Sequence, residues 1–80
     1  MKERRERSDE NKAAAKQALA TQIRKEMRRL RLGKAELAER LETSRSSVDR
    51  LLDPDNGSIT LHTLVKVADA LGKRFNASFI

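Results

Sequence analysis

Four polar side chains in one short segment set the chemical question. Within "TSRSSVDRLLDPDNGS", residues 43–58, Arg45, Ser46, Asp49 and Arg50 fall at helical spacing opposite Val48, Leu51 and Leu52. A guanidinium can give two parallel hydrogen bonds to guanine O6 and N7. A serine hydroxyl bonds to base or phosphate and is small enough to let a helix approach. Asp49 has two readings: it accepts from cytosine N4, or it holds Arg45 as an i,i+4 partner. The orienting role is the one we favour. The chemistry these groups point to is patterned hydrogen bonding to a polyanion.

Other chemistries lack their residues. His62 is the single histidine and there is no cysteine, so a metal site has too few ligands. Where a calcium loop starting at Asp53 needs a glutamate, the chain has Leu64. "GKAEL" lacks the spacing of a phosphate loop. No Ser/His/Asp or paired-carboxylate arrangement stands out, and the expectation is a non-enzyme without cofactor or metal.

The elements that must carry these residues are short. "ENKAAAKQALATQIRKEMRRLRL" has strong helix formers and no Gly or Pro. Ser8 is a candidate N-cap, and Leu19, Ile23, Met27 and Leu30 make one apolar stripe, with Arg24, Lys25, Arg28 and Arg29 off it. Gly33 reads as the break. "KAELAERL" reads as a second helix burying Ala35, Leu37, Ala38 and Leu41. Thr43 or Ser44 can cap a third, which ends near Leu52 because Asp53 precedes Pro54. "DPDNGS" is a loop by composition. Thr60 can cap a fourth helix with Leu61, Leu64, Val65, Val67, Ala68 and Leu71 as a broad apolar face, stopped at Gly72. In "RFNASFI" the period changes to two, which predicts a strand over 74–80. A lone strand needs a partner from another molecule.

Eighty residues allow one domain with a modest core, so association with a second copy would add buried area. No apolar run approaches the roughly 20 residues that span a bilayer. The start "MKERRERSDE" has no apolar run after its charges, unlike a signal peptide. The formal charge is +6 and it is uneven: residues 1–34 hold 12 Lys and Arg against 5 Asp and Glu, residues 35–80 hold 6 against 7. Such a field attracts nucleic acid first, then acidic membrane or protein surfaces. It also describes an ordinary solvated basic face. RNA modules stack bases on aromatics, and only Phe75 and Phe79 are present. A membrane-surface role for the first helix is disfavoured because its charges are spread around several sides.

Two short helices joined by a tight turn, the second with polar residues at its N-terminal end, describe a helix-turn-helix. At this point the chain resembles a known family. "GKAELAERLETSRSSVDRL" is similar to the helix-turn-helix of Cro/repressor (XRE-type) proteins, and "TLVKVADALGK" to that family's fourth helix, together covering Leu32 to Leu71. "SRSSVDRLLDPDNGSITLHTL" with "ALGKRF" looks closest to HigA-like antitoxins of type II toxin–antitoxin modules. The resemblance implies base contacts from Arg45, Ser46 and Arg50, and phosphate contacts from Lys34, Ser44 and Ser47, with Arg28 and Arg29 as weaker candidates. Two departures stand out. The family usually has Gln near Lys34, and it usually closes with a fifth helix where this chain has "RFNASFI". HigA-like relatives often dimerise through such a C-terminal strand, which would use Phe75, Ala77 and Phe79.

The expectation is therefore an all-α helix-turn-helix bundle of about four helices with a short C-terminal β-strand. Residues 1–18 form a basic N-terminal arm or fraying helix start, and residues 19–80 the DNA-binding domain with a dimerisation strand at 74–80. The implied function is a homodimeric repressor on an inverted-repeat operator of double-stranded DNA, in a bacterial or phage-encoded cytoplasmic setting. The implied biological role is an antitoxin that represses its own promoter and neutralises a RelE-fold toxin. A solitary phage-type or chromosomal repressor is the alternative. So is a protein-interaction module whose basic first helix meets an acidic partner. The N-terminal arm has two open uses, toxin binding and sequence-independent contact with DNA phosphates.

Overall fold

The structure, a computed structural model, describes residues 2–79, with side chains from Ser8 onward. Four helices follow in order: α1 Lys2–Leu30, α2 Lys34–Arg40, α3 Arg45–Leu52 and α4 Leu61–Ala70. There is no strand among the described residues. None of these helices is long and apolar enough to cross a membrane.

Helix α1 has 29 residues, and at 1.5 Å per residue it accounts for the 43 Å long axis of the molecule. It runs through Ser8, which is therefore not an N-cap. Its apolar stripe meets the other helices in one core. Ile23 and Met27 from α1 join Leu32, Leu37, Ala38 and Leu41, then Val48, Leu51 and Leu52, then Val67 and Leu71. Leu37, Val48 and Leu52 are the most completely buried. Each contributes roughly 1.5–3 kcal/mol by leaving water.

Three helices end in the same way. Leu32 N–H donates to Met27 O (2.8 Å), Thr43 N–H to Ala38 O (2.9 Å) and Lys73 N–H to Ala68 O (2.8 Å), the long closing bonds of Schellman motifs. The residues that turn the chain are Arg31 (φ 56°), Glu42 (φ 54°) and Gly72 (φ 69°). Gly33 does not break α1. It caps α2 in extended geometry, φ −85°, which any residue can adopt.

The third and fourth helices start as expected. Ser44 Oγ accepts from Ser47 N–H (3.1 Å) and Thr60 Oγ1 from Thr63 N–H (3.2 Å). Helix α3 stops at Leu52, with Asp53 extended before Pro54. The loop is pinned by side-chain turns, Asp53 Oδ1 accepting from Asp55 N–H and Asn56 Oδ1 from Ser58 N–H. Lys12 of α1 lies over it so closely that a Cβ on Gly57 would collide with its side chain.

Several sequence expectations need correction. Ala35, Leu61 and Val65 are exposed, and the buried face of α4 narrows to Val67, Ala68 and Leu71. A ten-residue helix on one layer can bury only one stripe, so the broad face has no second layer to meet. Residues 73–79 are not a strand. An extended segment without a neighbour leaves its N–H and C=O groups unpaired, and no second strand is present among the described residues. The tail instead turns Phe75, half-buried, towards a groove that includes Leu19, Ile23, Leu64 and Leu71, while Ala77 and Phe79 stay exposed. Ile80, the last residue of that expected strand, lies outside the described residues.

Candidate nucleic-acid interface

The eight residues of α3 divide cleanly at about 100° per residue. Val48, Leu51 and Leu52 are buried, Ser47 is half-buried, and Arg45, Asp49, Ser46 and Arg50 fill the exposed arc in that angular order. Arg45 and Ser46 open the helix, and Arg50 lies one turn later. The N-cap uses two more of the expected contact residues. Ser44 Oγ and Ser47 Oγ are 3.0 Å apart, and Arg50 Nη2 reaches Ser47 Oγ at 3.4 Å. Their hydroxyls thus order the first turn of α3 beside the exposed arc.

Lys34, the first residue of α2, sends its ammonium to Asp49 Oδ1 at 2.8 Å. This corrects the expected i,i+4 pairing of Asp49 with Arg45. Helix α2 crosses so that its first residue overlooks the middle of α3, and the flexible lysine stem closes the gap. The hydrogen bond from Lys34 holds the Asp49 carboxyl below the usual carboxylate range. Partial desolvation opposes the shift, and the charges of Lys34 and Arg45 add to it. Arg45 thereby stays free of this carboxylate bond.

Of the two α1 candidates, Arg28 is exposed, whereas Arg29 Nε bonds Glu26 Oε2 at 2.8 Å. Glu26 is also 4.0 Å from Lys73 of the tail. The Arg29 bond, chiefly, lowers the Glu26 carboxyl. Arg29, exposed like Arg28, thus holds an ion pair within α1 at the surface.

The structure adds residues that the sequence reading missed. Lys16 is only 3% exposed, and its Nζ donates to Leu51 O (2.8 Å) and Arg50 O (3.2 Å). Arg24 Nη2 donates to Leu52 O (3.2 Å). These carbonyls close α3, where its dipole is negative; of the three, Arg50 O also accepts from the C-cap Asp53 N–H (3.3 Å). Burial pushes the Lys16 ammonium pKa down, and nearby Asp53 partly restores it. A signal was present: Lys16, Ala20, Ile23 and Met27 share one helical face, so a cation sits in the apolar stripe. Two further basic residues cap neighbouring helices reciprocally. Arg40 Nη1 donates to Ala70 O (2.9 Å) and Lys66 Nζ to Leu41 O (3.1 Å). Part of the basic charge therefore holds the bundle together, and the exposed arc of α3 keeps Arg45 and Arg50 turned outward.

A family model described as a helix-turn-helix domain matches residues 4–78. No curated protein and no solved structure matches the chain.

Proposed function

We propose that this chain, which belongs to the helix-turn-helix domain family, is a sequence-specific DNA-binding regulator that inserts α3 into the major groove. The exposed arc carries the reading: Arg45, Ser46 and Arg50 face outward on a helix whose two ends are fixed, by Ser44 at the start and by Lys16 and Arg24 at the close. In this reading Arg45, Ser46 and Arg50 contact bases. Ser44 and Ser47 contact phosphates, with Arg28 a further donor, and Lys34 joins them on the recognised site only. Repression follows where the site overlaps a promoter.

The protein acts in this proposal as a homodimer on an inverted repeat, with half-sites about 34 Å apart. Exposed Leu61 (66%), Val65 (44%) and Phe79 are apolar groups that a second copy would cover. The resemblance to HigA-like antitoxins supports an autoregulating antitoxin. The N-terminal half of α1, exposed from Asp9 to Ala15, is the surface it leaves for a RelE-fold toxin.

Selection from a random duplex pool, followed by sequencing, tests the reading. An enriched inverted repeat rich in guanine contacts is expected. Enrichment of no sequence would refute it. Co-expression with the product of an adjacent gene tests the antitoxin role, relief of growth inhibition being the supporting outcome.

A further inference from the structure

A carboxylate in the middle of a DNA-facing arc is repelled by phosphates. Asp49 occupies that place, between Arg45 and Ser46 in angular order, and its one ion pair among the described residues is with Lys34. Both side chains of this pair reach solvent, at 39% and 51% exposure, so incoming DNA can compete for either.

We propose that Asp49 sets specificity by withholding Lys34: the ion pair keeps one cation off the phosphates of arbitrary duplex, and a cytosine N4 amine facing Asp49 releases it. This rests on the DNA-binding reading above. An ionised carboxylate only accepts hydrogen bonds. It is repelled by guanine O6 and N7 and by thymine O4, and finds donors only at cytosine N4 and adenine N6. Adenine sets its N7 acceptor beside N6, which leaves cytosine as the better match. When the amine takes over Asp49, the flexible lysine stem lets the ammonium swing to a phosphate. On other sequences Lys34 stays neutralised, or Asp49 is left unpaired next to the backbone. Both states weaken binding, so the pair penalises the wrong sequence.

The test is a cycle of K34A, D49N and the double variant. It is read as affinity for a random duplex pool at several salt concentrations and as the sequences selected from that pool. All these positions face solvent, and thermal melting checks that the fold is kept. D49N is expected to bind the random pool severalfold more tightly, with a salt slope steeper by about 0.9, the equivalent of one added phosphate contact. K34A should leave the wild-type slope on that pool nearly unchanged, yet remove the steepening when combined with D49N. D49N should also lose a cytosine preference at one position while keeping its guanine preferences. An equal flattening by K34A in both backgrounds would show that Lys34 already contacts phosphate, which overturns the proposal. Unchanged base preference in D49N would overturn it as well. Wild-type protein that held no duplex even at low salt would instead overturn the DNA-binding reading itself.

Discussion

The buried ammonium of Lys16 donates to the carbonyl oxygen of Leu51 at 2.8 Å, joining the middle of α1 to the last turn of α3. A residue from the basic N-terminal region is thus part of the scaffold of the recognition helix. Of its two carbonyl partners, Arg50 O also accepts from Asp53 N–H (3.3 Å), so Leu51 O is the one that depends on Lys16.

Lys16→Met keeps the stem's packing and removes the ammonium, leaving the Leu51 carbonyl without its donor while Arg50 O keeps the Asp53 N–H. The expected loss is about 1–3 kcal/mol, the cost of an unsatisfied buried polar group. Urea unfolding measures it. An unchanged midpoint would show that water replaces the lysine fully.

Glu42 turns the chain at φ 54°, a conformation that costs a residue with a Cβ about 1–2 kcal/mol. Glu42→Gly removes that strain and adds about 0.5–1 kcal/mol of chain entropy cost, so a net gain of about 0.5–1 kcal/mol is expected. Gly33→Ala is expected to be tolerated, since φ is −85° and the nearest atom, Glu36 Oε1, lies 3.9 Å from the added Cβ. Gly72→Ala, at φ 69°, should lower the melting temperature.

Acid should destabilise the protein through Asp49 and Glu26. Their folded carboxyls titrate below their ordinary values because Lys34 and Arg29 bond the charged forms. The unfolded chain therefore takes up protons first, near about pH 4. The stability these pairs contribute is present above that pH and is lost as pH falls through the lowered folded values. Denaturation between neutral pH and pH 2 should show this decline, and the E26Q/D49N variant should show a shallower one. An identical acid limb in both proteins would refute the assignment.

Arg45→Ala and Arg50→Ala should each cost about 1–3 kcal/mol on the selected site and relax base choice locally. Affinity for random duplex should fall less. Equal losses on selected and random DNA would mean that these guanidinium groups meet only phosphates and that α3 is not the reading helix.

The sequence by itself determined the order of the four helices and the approximate bounds of α2, α3 and α4, because local physics specifies them, whereas α1 begins at Lys2 and not at the expected cap Ser8. Ser44 and Thr60 cap with their own neighbours, Asp53 is excluded from helix by Pro54, and apolar residues recur at helical spacing around Ile23, Val48 and Val67. It determined the exposed arc of α3 for the same reason: eight residues with three buried leave one outward side. Only the tertiary structure decided which charges serve the fold. The sequence placed Lys16 within the apolar stripe of α1 but not its partner; Lys16 and Arg24 became caps because α3 ends beside them. Asp49 was in reach of Arg45 by helical spacing, yet the crossing of α2 over α3 delivered Lys34 to it. The alternation of Phe75, Ala77 and Phe79 was a local strand signal, but a strand is stabilised by its neighbour, and the described residues provide none. Helix bounds and caps depend on residues a few places apart, whereas partners for charges and strands depend on how whole elements cross.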